Sequence, residues 1–110
     1  MFKYLKLLYY SFYRPKIFFS KKNYSVFGEG KFIERYFRNK PKGFYIDVGC
    51  YHPLDGNNTR LLYKKGWNGI SLDINYYSIE LFNFLRKGDI NIHSGIYNKK
   101  NRLTMYYKKK

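Results

Sequence analysis

One cysteine, Cys50, is all that this chain of 110 residues carries, and a single thiol excludes an internal disulfide. No Cys/His spacing fits a zinc site, and the thiol usage is that of a reducing cytoplasm. Long apolar runs are missing too. In residues 1–20 the cations Lys6, Arg14 and Lys16 interrupt the aromatic and aliphatic residues, so no stretch approaches the roughly 20 needed to span a bilayer. No small-residue cleavage site follows, and nothing points to secretion. Internal repeats and low-complexity linkers are likewise absent. The scarcest class is acid: seven Asp and Glu stand against 22 Lys and Arg, a formal net charge of +15.

What is abundant is cation and aromatic ring, with 14 Tyr and 10 Phe. Cations interleaved with aromatics can hold a phosphate backbone and stack bases, so single-stranded nucleic-acid binding is a rival reading on composition. The lysines, however, are scattered over predicted turns, helix ends and the tail: Lys21-Lys22, Lys40 with Lys42, Lys64-Lys65, Lys99-Lys100 and Lys108-Lys109-Lys110. Enrichment in Lys, Asn, Ile, Tyr and Phe also matches an AT-rich coding bias. The expectation is a generally cationic surface that favours anionic partners, without specific nucleic-acid recognition. Residues 1–23 form a basic, aromatic segment, which reads as a helix ending before Pro15, either packed on the domain or in weak contact with a membrane surface.

From residue 24 onward helix and strand signals alternate. Residues 30–39 put Phe32, Ile33, Tyr36 and Phe37 on one helical face, expected to pack on the sheet. Asn39-Lys40-Pro41-Lys42-Gly43 is a turn rich in breakers, and the first strand follows as Phe44 to Val48. A second helix is expected to start near Asn57 or Asn58, bury Leu61 and Leu62, and stop at Gly66. Trp67 should pack the loop beneath the second strand, Ile70 to Ile74. Asn75 or Ser78 can cap a third helix with Leu81, Phe82 and Leu85 buried, ending at Gly88. The alternation of Ile90 to Ile96 predicts a third strand, and Leu103 to Tyr107 a further one. This order implies an α/β fold, a parallel sheet core flanked by helices with right-handed crossovers.

The chemistry concentrates at two strand ends. Gly43-Phe44-Tyr45-Ile46-Asp47-Val48-Gly49-Cys50-Tyr51-His52-Pro53 rises from apolar residues into an acid and a glycine, and Gly66-Trp67-Asn68-Gly69-Ile70-Ser71-Leu72-Asp73 ends in a second acid. Mononucleotide-type βαβ units present their ligand-binding edge in this way. Gly49 permits a sharp turn and close approach of backbone to ligand, and the Asp73 carboxylate can accept both hydroxyls of a ribose. The full G-x-G-x-x-G is not there. Beside these readings stand plainer ones: Asp47 and Asp73 as acids capping the next turn, Cys50 as a small filler, His52 as loop structure beside Pro53, and His93 as a sheet residue.

Taken in order with Tyr24-Ser25-Val26-Phe27-Gly28-Glu29, Asn58-Thr59, Leu62-Tyr63 and Arg86 with Asp89, these runs resemble the FkbM family of S-adenosylmethionine-dependent methyltransferases over residues 24–107. The resemblance implies a Rossmann-like methyltransferase fold with the cofactor over the carboxyl ends of the strands. Asp47 and Gly49 then match the motif beside the methionine part, Cys50, Tyr51 and His52 fill the variable loop, Asn58 and Thr59 match the helix start whose N–H groups face the cofactor carboxylate, and Asp73 matches the ribose acid. Gly30 and Asn57 depart from the family pattern. The implied reaction moves a methyl group to a hydroxyl oxygen of a sugar, lipid or polyketide-like acceptor. The family's sheet continues beyond the strands found here, so residues 24–110 are expected to be a partial domain, inactive alone and prone to self-association unless another polypeptide completes the sheet. The alternative is a non-catalytic remnant or cationic binding module.

Overall fold

A computed structural model of the chain describes residues 4, 5, 8, 9, 25 and 27–106. Three helices and three strands alternate from residue 29: α1 (Glu29–Tyr36), β1 (Phe44–Val48), α2 (Arg60–Lys64), β2 (Asn68–Asp73), α3 (Tyr76–Leu85) and β3 (Ile90–His93). The strands form one parallel sheet in the order β1-β2-β3. Two right-handed crossovers advancing in the same direction put their helices on the same face. That is the arrangement found: Leu62 of α2 packs on Tyr45 and Trp67, while Ile79 and Phe82 of α3 enclose Cys50.

The register sorts the side chains in an unusual way. Toward the helices point Tyr45 opposite Gly69, the polar row Asp47, Ser71, Asn91, and then Asp73 opposite His93. Away from them point Phe44 opposite Asn68, the row Ile46, Ile70, Ile90 and the row Val48, Leu72, Ile92. Parallel sheets are normally apolar on both faces because both are covered. Here the face under the helices is the polar one, and the apolar face stands open, with Ile46 64% exposed.

Glycine at 69 has a steric cause. A Cβ built there would lie 2.0 Å from the Tyr45 carbonyl oxygen, so only a bare backbone lets β1 and the Tyr45 ring come this close. Gly43 is held in the same way by the Trp67 ring, which buries itself beneath the turn and donates from its indole N–H to the Lys40 carbonyl.

Several boundaries differ from the sequence reading, each for a local reason. α1 turns Ile33 and Phe37 inward, but Phe32 and Tyr36 are exposed and stack on one another, because the core beneath has room for only one side of so short a helix. α2 starts at Arg60, since Asn57 holds the preceding turn from outside the helix. Leu61 is only half-buried there. β2 spans Asn68–Asp73, two residues earlier at its start and one shorter at its end. α3 stops at Leu85, which is half-buried, because Arg86 leaves helical geometry. β3 ends at His93 where β2, its partner, ends. Residues 101–106 form no strand, and Leu103 and Tyr106 are exposed. Of residues 1–23, only 4, 5, 8 and 9 are described; they are helical and half-exposed, with the Tyr4 ring edge-on to Phe84 at 5.6 Å. The rest of that segment, and Tyr107, lie outside the described residues. No described helix is long and apolar enough to cross a membrane.

Gly69→Ala should destabilise the fold by about 1–3 kcal/mol or more, as overpacking against backbone does. A lower urea midpoint at an unchanged m-value is the expected result, and an unaltered midpoint would show that β1 and β2 can separate without cost.

Candidate functional site

β1 ends in a turn that hooks over β2. The Gly49 and Cys50 N–H groups both donate to the Leu72 carbonyl, at 2.9 and 3.0 Å. Gly49 takes φ +73 and Tyr51 φ +58, left-handed values that glycine adopts freely and a tyrosine rarely does. This conformation delivers the Tyr51 N–H to Asp73 Oδ2 at 2.8 Å. The other oxygen, Oδ1, accepts from Asn75 N–H at 2.8 Å, and the Asn75 side chain caps α3 at Tyr77. Asp73 therefore clamps the β1 turn to the start of α3. A carboxylate has about four acceptor positions, so two remain for a ligand.

Asp47 is fixed from the opposite side. Its Oδ2 accepts the Thr59 hydroxyl at 2.8 Å and the Asn57 amide at 3.3 Å, while Oδ1 accepts nothing from the described residues. Asn57 also donates to the Cys50 carbonyl, and its Oδ1 takes the Thr59 and Arg60 N–H groups. The Thr59 N–H belongs to the Asn58-Thr59 helix start that the resemblance turns toward a cofactor carboxylate. Both N–H groups are satisfied within the loop; Asn58 is exposed, and its side chain makes no hydrogen bond to the described residues. A Cβ built on Gly49 would meet no atom within 4 Å, so the turn is open on that side. Asp47, Gly49, Tyr51 and Asp73 thus converge, with the Tyr51 ring exposed.

Cys50 and His52 serve structure. Burial, then the Asp47 and Asp73 charges, push the Cys50 thiol up to about 12, so it stays protonated and unreactive at neutral pH. His52 is buried, and its Nδ1 accepts the Leu54 N–H. His93 bonds through Nε2 to the Ile74 carbonyl, with Tyr76 edge-on to its ring. No group of three or more His, Cys, Asp or Glu among the described residues could hold a metal ion.

Behind the loop lies Arg86, 2% exposed. Its Nη1 donates to Thr59 Oγ1 at 3.0 Å and to the Tyr45 hydroxyl at 3.3 Å; Nη2 donates to Asn57 Oδ1 at 2.6 Å and the Pro53 carbonyl at 3.1 Å. The Tyr63 and Phe82 rings sandwich the guanidinium at 5.1 Å each. Asp89 supplies the counter-charge at 3.7 Å, accepting in turn from the Tyr45 hydroxyl at 2.5 Å and the Gly69 N–H at 2.9 Å. Burial and the bond to Asp89 hold the Tyr45 phenol above its ordinary value, so it remains a donor. The resemblance includes Arg86 with Asp89 but assigns them no role. The usable signal is the spacing Ile79, Phe82, Arg86, which sets the arginine on the buried stripe of α3.

Compared with known proteins, the chain matches no family model, no curated protein and no solved structure.

Arg86→Met should cost about 3–5 kcal/mol, because it strands Asp89 buried without a cation. Circular dichroism in urea should show a chain unfolded or nearly so, and a cooperative transition near the wild-type midpoint would refute the network's role. Raised acid pKa values also fix a pH response. The Cys50 contribution is intact below its ordinary value of 9.0 and is lost as pH rises from there toward about 12, with Tyr45 acting in the same direction. Stability should therefore fall on the alkaline side of about pH 9, and Cys50 should resist thiol reagents at pH 8 until denaturant is added.

Proposed function

We propose that the chain binds S-adenosylmethionine across the carboxyl ends of β1 and β2, as part of an FkbM-type methyltransferase acting on a hydroxyl acceptor. The observation that supports this most directly is the convergence of Asp47 and Asp73 on the open turn at Gly49. Two acceptor-only groups flank a backbone that has no side chain to block approach, the donor-and-acceptor pattern suited to a nucleoside carrying a cationic amino acid tail.

The residues divide the work. Asp73 keeps two acceptor positions for the ribose hydroxyls while its other two hold the Tyr51 and Asn75 N–H groups. Asp47 keeps Oδ1 for a donor on the methionine part, oriented by Thr59 and Asn57. The exposed Tyr51 ring can cover the bound molecule and exclude water. When bound, S-adenosylmethionine would supply an electrophilic methyl group, which passes to an acceptor oxygen in line as its bond to sulfur breaks, leaving S-adenosylhomocysteine, with the hydroxyl proton going to a base. Neither Cys50, kept neutral, nor His52, buried and bonded within its loop, fits that role. The formal charge of +15 sustains a second reading, a cationic module for anionic surfaces or single strands.

Titration calorimetry with S-adenosylmethionine and S-adenosylhomocysteine tests the first reading. Wild type should bind, and Asp73→Ala should bind about tenfold more weakly or worse, as loss of charged hydrogen bonds worth on the order of 1.5–3 kcal/mol each requires. Thermal melts of both proteins separate lost contacts from lost fold. Absence of binding by folded wild type refutes the proposal, and equal binding by both refutes the role of Asp73. Any DNA or RNA binding should be weak and abolished by about 0.2 M salt; tight binding that survives it would favour the cationic module.

A further inference from the structure

The sheet face turned away from the helices carries the two rows Ile46, Ile70, Ile90 and Val48, Leu72, Ile92, with Phe44 and Asn68 at one end. Not one of these positions is charged, in a chain with 26% charged residues, where about two of eight would be charged on an ordinary solvated surface. The outer residues are well exposed: Phe44 61%, Val48 57% and Ile90 60%. Meanwhile the helices cover the polar row of Asp47, Ser71 and Asn91. The open face has the composition of an interior.

We infer that this face is a self-association surface, and that its occupant is the same face of a second copy of this chain. Three features select that occupant. The face offers no charge for an acidic or basic partner to read, so only apolar area and shape are available for recognition. Branched aliphatics on a pleated, right-twisted sheet interdigitate with their own kind when two sheets stack about 10 Å apart at about −30°, as in β-sandwiches. The exposed area amounts to roughly 600 Å² per copy, so a pair can bury at most about 1,200 Å², the low end of specific interfaces. A two-fold axis near Ile70 brings the two patches together. The dimer should then be of micromolar strength and should tighten with salt, since salt screens the repulsion between two chains of formal charge +15 and strengthens apolar burial.

Sedimentation equilibrium of the purified chain at low and high NaCl is the test. Wild type should be a monomer–dimer equilibrium whose dissociation constant falls as salt rises. Ile46→Lys should weaken it at least tenfold, whereas Tyr36→Lys, an equally exposed position on α1, should leave it unchanged. Urea midpoints at monomeric concentrations verify that each variant folds. Ile70→Cys should form an intermolecular disulfide on mild oxidation, since Cys50 is buried and does not compete. A wild-type chain that stays monomeric, an association that dissolves with salt, or one indifferent to Ile46→Lys and without a disulfide at position 70 would overturn the proposal.

Discussion

The guanidinium of Arg86 is the point on which the site depends. A planar cation with five N–H donors can bridge groups that no other side chain could reach together, and here it joins the hydroxyls of Tyr45 and Thr59, the amide of Asn57 and the carbonyl of Pro53. Those partners are the walls of the loop between β1 and α2. Through Asn57 and Thr59 the arginine also determines how Asp47 is turned. Burying such a cation is costly in free energy, and Asp89 with the two flanking rings offsets that cost. The loop is thereby held by the core.

That arrangement explains the inverted sheet. If the helix-covered face must accommodate Asp47, Ser71, Asn91 and the arginine network, it cannot also be an apolar slab. Apolar burial on that side comes from above, from Leu62, Trp67, Ile79 and Phe82, with Tyr45 contributing a ring body inside and a hydroxyl into the network. The branched residues that give the strands their β propensity are left for the other face. The polar network on one side and the exposed apolar surface on the other are consequences of the same alternation.

Strand β1 was fully legible because its residues are β-formers bounded by breakers, and all three helices and the first three strands fell in the expected order. Strand ends were less so, because they depend on where a partner stops: β3 ends at His93 with the end of β2. The further strand at Leu103 had alternation and no partner, which a local pattern cannot reveal. In the site, the acids and Gly49 could be read from spacing, whereas the loop's internal bonds could not. Asn57 looked like one of two possible caps, yet its single amide accepts three donors, and that sharing depends on an arginine 29 residues away.

The scarcity of acids acquires a structural meaning from their placement. Three of the seven, Asp47, Asp73 and Asp89, sit in or beside the strands, and each is held by donors that are themselves fixed: Thr59 and Asn57, two backbone N–H groups, or Gly69 and Tyr45. Asp89 is matched to Arg86 and fully committed. Asp73 is bonded at both oxygens and retains only second positions. Asp47 alone of the three has an oxygen, Oδ1, that accepts no hydrogen bond from the described residues, and that oxygen is reached by solvent. The acceptor positions left free at this sheet edge therefore belong to Asp47 Oδ1 and to the second positions of Asp73, on the side of the turn that Gly49 leaves open.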